Sequence, residues 1–224
     1  MKLTILQSVL LLALQITTTF AIAEQNFIDA QEIFEQSLAG NESKTTAAID
    51  SFQTLVNNNP EQPLFLVYLG SAYTLKARDS WMPWTRLSNV DTGLEKIDKA
   101  IQMLTPEHGE QKIRGSIISI ETRLVAISTF LQVPGFLNRF QDAKDLMHET
   151  VNSPAYPLSP PIVKGRLQLW AAEIAIQDDD SNTARVHLEQ AIKLLPDGRF
   201  SNQAHERLSE ITLDELNKET DEEI

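Results

Sequence analysis

The chain of 224 residues contains no cysteine. That excludes a disulfide framework, a thiolate metal site and a lipid-modified N-terminal cysteine. Histidine is sparse, and His108, His148, His187 and His205 are scattered with no second histidine at helical spacing. The HExxH, GxSxG, SxxK and Walker-type patterns are all missing, so the common zinc, serine and nucleotide chemistries have no foothold. Positive charge is also short, with 19 Lys and Arg against 31 Asp and Glu and a net charge of -12. Such a surface repels phosphate backbones, which argues against nucleic acid as a partner. It also repels anionic bilayers. Strand-like alternation is lacking, and beyond the N-terminus no apolar run approaches the ~20 residues that span a bilayer.

What is present is an ordinary globular composition, 42% apolar and 22% charged. The chain is therefore not broadly disordered, and its length suits one medium-sized core. At the N-terminus Lys2 is the only charge before Glu24, and an apolar stretch runs from Leu3 to Leu14. Thr17, Thr18 and Thr19 lead to Ala21-Ile22-Ala23. A basic start, a short apolar run and a small-x-small end read as a signal peptide over 1–23, cleaved after Ala23. The expected product is an exported protein, periplasmic or else secreted, with no stable membrane insertion after cleavage. An exported chain without disulfides fits a bacterial periplasm, although Asn41-Glu42-Ser43 has the glycosylation acceptor pattern.

Apolar residues recur at helical spacing along almost the whole chain. Phe27, Ala30, Phe34 and Leu38 form one stripe, closed by Gly40. Ala48, Ile49, Phe52, Leu55 and Val56 form a second, ended by Asn57-Asn58-Asn59-Pro60. Pro63 opens a third with Leu66, Leu69, Ala72 and Tyr73. Leu94, Ile97, Ala100, Ile101 and Leu104 form a fourth, with Thr92 and Glu95 at capping-box spacing. Thr105-Pro106 predicts the start of a long fifth helix carrying Ile113, Ile117, Ile120, Leu124, Ile127 and Leu131. A sixth carries Phe136, Phe140, Ala143, Met147 and Val151, and a seventh Val163, Leu167, Trp170 and Ile174. The eighth carries Ala184, Leu188, Ala191 and Leu195, and the ninth covers about 201–218 before an acidic, disordered tail at 219–224.

These helices fall into pairs with a shared pattern. Ala48-x3-Phe52 with Pro60 eight residues on parallels Ala184-x3-Leu188 with Pro196 eight residues on. Leu66-x2-Leu69-Gly70-x2-Tyr73 and Leu167-x2-Trp170-Ala171 supply first-helix patterns. This arrangement resembles the tetratricopeptide repeat, whose pairs stack into a solenoid. The resemblance covers about 27–217 and implies an all-α, right-handed α-α superhelix of about four helix pairs over 24–218, with the last helix as a cap. The fit is uneven. Twenty residues separate Tyr73 from Gly93 where the repeat has nine, and the surplus contains Asp79-Ser80-Trp81-Met82-Pro83-Trp84-Thr85-Arg86-Leu87. In the resembled family the concave face holds a peptide or helix. By motif position Leu64, Val67, Tyr68 and Ser71 would face inward, and the basic carboxylate clamp of one subtype is absent.

Few residues suggest catalysis. Asp178-Asp179-Asp180-Ser181-Asn182 has carboxylates in a row, but lacks the glycine and closing glutamate of a calcium loop. It reads as a turn whose Asp180 or Ser181 caps the next helix. Glu32 with Glu35, and Glu206 with Glu210, read as solvated helix faces. No metal or other cofactor is implied.

The tryptophan stretch has two readings. Trp81 and Trp84 either pack as a staple that seals the junction between the third and fourth helices, or stand exposed for a partner. The staple is the favoured one. Candidate binding residues are Tyr68, Tyr73, Arg78, Trp81, Trp84 and Arg86. The expected function is a non-enzymatic binding or scaffold protein of the cell envelope with a protein or peptide partner. The alternatives are a small-ligand-binding protein with an aromatic-walled pocket and, more weakly, a hydrolase on a helical scaffold.

Overall fold

The computed structural model describes residues 23–222, with side chains placed as far as Leu213. The signal-peptide reading therefore falls almost wholly outside the described residues. Nine α-helices make up the described chain, with one two-stranded hairpin and four short 3-10 turns. They are α1 (23–38), α2 (Thr45–Asn58), α3 (Pro63–Asp79), α4 (Pro83–Gln102), α5 (Ile118–Gln132), α6 (Phe140–Val151), α7 (Pro161–Gln177), α8 (Ser181–Leu194) and α9 (Arg199–Glu222). The all-α class is as expected, and the helices pack mostly with their sequence neighbours. None is long and apolar enough to cross a membrane among the described residues. The chain gathers into two compact units that meet in sequence at Met103 and Leu104.

The first unit holds α1 to α4. Its core is aromatic, with Phe27, Phe34, Phe52, Phe65 and Tyr68 packed ring against ring at centroid distances of 5.2 to 6.3 Å. Most of these pairs are edge-to-face, which suits the quadrupoles of the rings. α3 is buried on nearly every side, from Leu64 to Ala72, because its sequence is apolar all round. Pro63 occupies its first turn, where a missing N–H costs nothing.

α3 and α4 are held together at two glycines. A Cβ on Gly70 would stand 2.6 Å from the Gly93 carbonyl oxygen, and one on Gly93 would stand 2.7 Å from that of Gly70. The two helices thus form an antiparallel hairpin crossing backbone to backbone. The surplus after Tyr73 is not a separate loop. It lengthens both arms, so that the turn at Ser80–Met82 lies about 15 Å of helix beyond the glycine crossing. Thr92 and Glu95 accordingly do not start a helix. α4 begins nine residues earlier at Pro83, because nothing between Trp84 and Thr92 breaks it.

The second unit departs from expectation at its start. The long fifth helix is absent. Thr105 does cap, in a box with His108, but what it opens is a 3-10 turn, Pro106–Gly109. A hairpin of Lys112–Ile113 and Ser116–Ile117 follows, with Arg114 and Gly115 both at positive φ. Two left-handed central residues are the signature of a type I′ turn, and that turn stops the helix from forming before Ile118. Ile113 and Ile117 are buried as strand residues instead. Phe136 also lies outside its expected helix. It sits in the 3-10 turn Gly135–Leu137, is 72% exposed, and α6 starts only at Phe140.

α7 and α8 form the closest pair of this unit. Their interface is built from Leu169, Ala172, Ala175, Ala184, Leu188 and Ala191, so small side chains set a short separation. Asp180 caps α8 by accepting the Thr183 N–H at 3.0 Å, and these hydrogen bonds hold its carboxyl below the usual range. α9 is tied to α7 by Arg207, which donates to Glu173 at 2.7 Å and to Glu210 at 2.8 Å. It runs to Glu222.

Candidate functional site

α4 carries one apolar stripe at helical spacing, Trp84, Leu87, Val90, Leu94 and Ile97. Along it the relative exposure falls from 69% to 47%, 7%, 7% and 0%. Toward Ile97 the stripe reaches the α3 crossing, where Ile97 meets Gly70. Toward Trp84 it runs out of cover. Trp81, on the turn before α4, is 81% exposed, and Pro83 beside it is exposed as well. The staple reading is therefore corrected: neither indole folds back to seal the α3–α4 junction. The physical reason is helical geometry: Trp84 stands nine residues before Gly93, about two and a half turns, so it leaves α4 on the side opposite the α3 crossing.

The cations around this patch are organised by the end of α3. Arg86 donates from Nη2 and Nε to the Ser80 carbonyl at 2.8 and 3.2 Å. Arg78 donates from Nε to Asp79 at 2.7 Å and from Nη2 to the Ser37 carbonyl at 2.9 Å. The other Asp79 oxygen accepts from Thr45, whose hydroxyl also meets Ser37 Oγ at 2.6 Å. Arg78 and Asp79 thus pin the end of α1 and the start of α2 against the end of α3. Lys76 and Arg78 lie in the last turn of α3, where positive charge complements the helix dipole.

The six sequence candidates do not form one site. Trp81, Trp84 and Arg86 come together at the hairpin turn, with Arg78 on its flank. Tyr68 is removed from any surface, since it is 1% exposed and its phenol oxygen accepts from Gln31 Nε2 at 2.7 Å. Its motif position predicts an inward-facing groove residue, but here it packs in the aromatic core. Tyr73 is half-buried, with the Lys96 ammonium 5.5 Å from its ring centroid. Leu87 and Pro83 belong to the patch and are not among the six. The spacing from Trp84 through Leu87 to Val90 is the signal that could have found Leu87.

A separate open cleft of about 490 Å³ lies between α1 and α2 in the same unit. Asn26, Asp29, Ser51, Thr54, Asn58 and Asn59 line it together with Ala23, Ala30 and Leu55, and no aromatic ring lines it. An aromatic-walled pocket is thus not what this cleft provides. Among the described residues no group of three or more His, Asp or Glu side chains is placed to hold a metal ion. His187 Nδ1 meets Gln168 Oε1 at 2.6 Å, and burial pushes its pKa down. Burial also lowers that of His108, with nearby Glu107 opposing. Neither histidine is near the tryptophan patch in sequence, and His108 Nδ1 meets Thr105 Oγ1 at 3.0 Å in the capping box.

Comparison with protein-family models, with curated proteins and with solved structures gives no match. The functional reading therefore rests on the geometry of the α3–α4 turn.

Proposed function

We propose that this is a non-enzymatic protein-binding or scaffold protein of the bacterial cell envelope, built as a tetratricopeptide-like helical array. In this reading it is exported by its N-terminal segment and works in the periplasm. The observation that carries the reading is the uncovered end of the α4 stripe. A core stripe that continues into solvent as Leu87, Trp84 and Trp81 presents apolar area of the kind that another surface covers on binding. Tryptophan and arginine together are the residue types that dominate binding energy at protein interfaces.

The contact surface in this reading is the hairpin turn rather than a concave groove. Trp81, Trp84, Leu87 and Arg86 are its elements, and Tyr68 serves the fold. The test is capture of partners from envelope extracts by the wild-type chain, by Trp81→Ala and by Trp84→Ala. We expect the captured set to be lost in both variants. Unchanged capture by variants that keep wild-type helicity and melting would end the proposal.

A further inference from the structure

We infer that the α3–α4 turn docks an acidic, apolar-faced segment of a protein partner. This inference rests on the protein-binding reading above and adds the chemistry of the partner. Two observations carry it. The first is exposure: Trp81, Trp84 and Leu87 are 81%, 69% and 47% exposed at one turn, so the cover they lack is apolar. The second is charge. From Lys76 to Asp91 the chain has three cations, Lys76, Arg78 and Arg86, against two anions, Asp79 and Asp91. Arg78 and Asp79 pair with each other, which leaves Lys76 and Arg86 against Asp91. Glu42 and Lys44 of the neighbouring 3-10 turn offset each other. A locally cationic end stands out on a chain of net charge -12.

The size of the occupant follows from screening. At physiological salt charges are felt over about 8 Å. A slender segment on the turn senses the arginines and little of the acidic remainder. A bilayer is broad enough to meet the acidic surface around the turn, and anionic headgroups are repelled by it. A carboxylate beside an apolar side chain suits a turn that carries Arg86 two residues after Trp84. Arg86 holds the Ser80 carbonyl with Nε and Nη2, which leaves its Nη1 edge available to a carboxylate.

The indoles supply the readout. The chain has three tryptophans, and Trp170 is buried in α7, so changes in emission on binding report Trp81 and Trp84. The probes are short synthetic peptides that alternate leucine and phenylalanine with glutamate, glutamine or lysine. Vesicles of phosphatidylcholine with phosphatidylglycerol are a further probe. We expect the glutamate peptide to shift the emission to the blue and to bind at least about tenfold more tightly than the glutamine peptide. Raising the salt should erase that difference. Arg86→Glu should weaken glutamate-peptide binding by about tenfold or more, whereas Arg86→Lys should largely keep it, and circular dichroism confirms that both fold.

If glutamate and glutamine peptides bind alike and Trp84→Ala weakens both, the acidic chemistry is wrong while the protein-binding reading stands. Preference for the lysine peptide likewise overturns the acidic chemistry alone. If vesicles shift the emission and no peptide does, the turn is a membrane contact and both readings fail. No response to any probe also overturns the inference.

Discussion

Replacing Gly70 by alanine tests the backbone crossing on which the hairpin depends. In an exposed helix this change would be stabilising by about 1 kcal/mol, because alanine is the better helix former. Here the new methyl meets the Gly93 carbonyl oxygen at 2.6 Å, Ile97 Cγ1 at 2.7 Å and the Ile97 nitrogen at 3.1 Å. The Ile97 side chain can rotate away, but a carbonyl and an amide inside a helix cannot. To reach an ordinary contact near 3.4 Å, α3 and α4 must separate by roughly 0.8 Å. That loosens the packing of Ile97 and Thr74 at the crossing. Overpacking of this kind costs about 1–3 kcal/mol. The rigid obstacle puts it at the upper end, for a net loss of about 2 kcal/mol after the propensity gain.

The assay is urea unfolding followed by far-ultraviolet circular dichroism, with thermal melting alongside. For a chain of this length each kcal/mol corresponds to about 2–4 °C. Gly93→Ala should behave similarly, since its methyl meets the Gly70 oxygen at 2.7 Å and Thr74 Cγ2 at 2.8 Å. Adding Thr74→Ala to it should recover only part of the loss, because the carbonyl contact remains. The double variant Gly70→Ala/Gly93→Ala should lose less than the two single losses added, since one separation of the helices accommodates both methyls. Gly135→Ala is the control, with nothing within 4 Å of its Cβ. A Gly70→Ala protein as stable as wild type, or more so, would refute the close crossing.

Trp81→Ala and Trp84→Ala should each change unfolding free energy by no more than about 0.5 kcal/mol, as exposed side chains do, and acrylamide should quench the wild-type emission except for a protected Trp170 component that Trp170→Phe removes. Arg166→Ala should destabilise by about 3 kcal/mol in urea unfolding, because it takes the guanidinium 2.9 Å away from the buried Glu121 carboxylate and off the Phe200 ring. Stability should fall as pH drops below the ordinary histidine value of 6.5, since burial depresses the pKa of His187 and the unfolded chain then binds more protons than the folded one. His187→Gln should flatten that slope in urea titrations at successive pH values, and an unchanged slope would assign it to other groups. Asp180→Ala should lower the melting temperature and Asp180→Asn should largely preserve it, because asparagine can also accept the Thr183 N–H.

The helices are legible in the sequence because most of them are amphipathic or bounded by strong punctuation. Pro63, Pro134 and Asp180 each sit at or beside an end that the structure places there. The departures have a common cause: helical periodicity runs on through residues whose backbone requirements break it. Ile113 and Ile117 stand at the same i, i+4 spacing as helix residues, yet Arg114 and Gly115 between them turn through positive φ. Glycine after arginine is a weaker turn cue than glycine after asparagine, so the sequence hides the hairpin. Phe136 falls into the α6 pattern by the same overextension. Thr92 is the opposite case, a capping-box spacing in a stretch where the helix is already under way.

The candidate site shows what a helical pattern can and cannot tell. Spacing puts Leu94, Ile97 and Ala100 on the buried face of α4, and they are buried, while Trp84 and Leu87 are exposed. It does not tell how far along the face the neighbouring helix reaches. That depends on where two chain segments far apart in sequence come into contact, here Gly70 and Gly93. With the crossing known, the sequence becomes informative again. An antiparallel hairpin has its turn midway between its facing residues, and the midpoint of Gly70 and Gly93 falls between Trp81 and Met82. The surplus over the regular repeat suggests an irregular corner in need of a plug, but it places both indoles at the far end of two lengthened arms. At that end a plug has nothing to seal, and the two indoles stand 81% and 69% exposed.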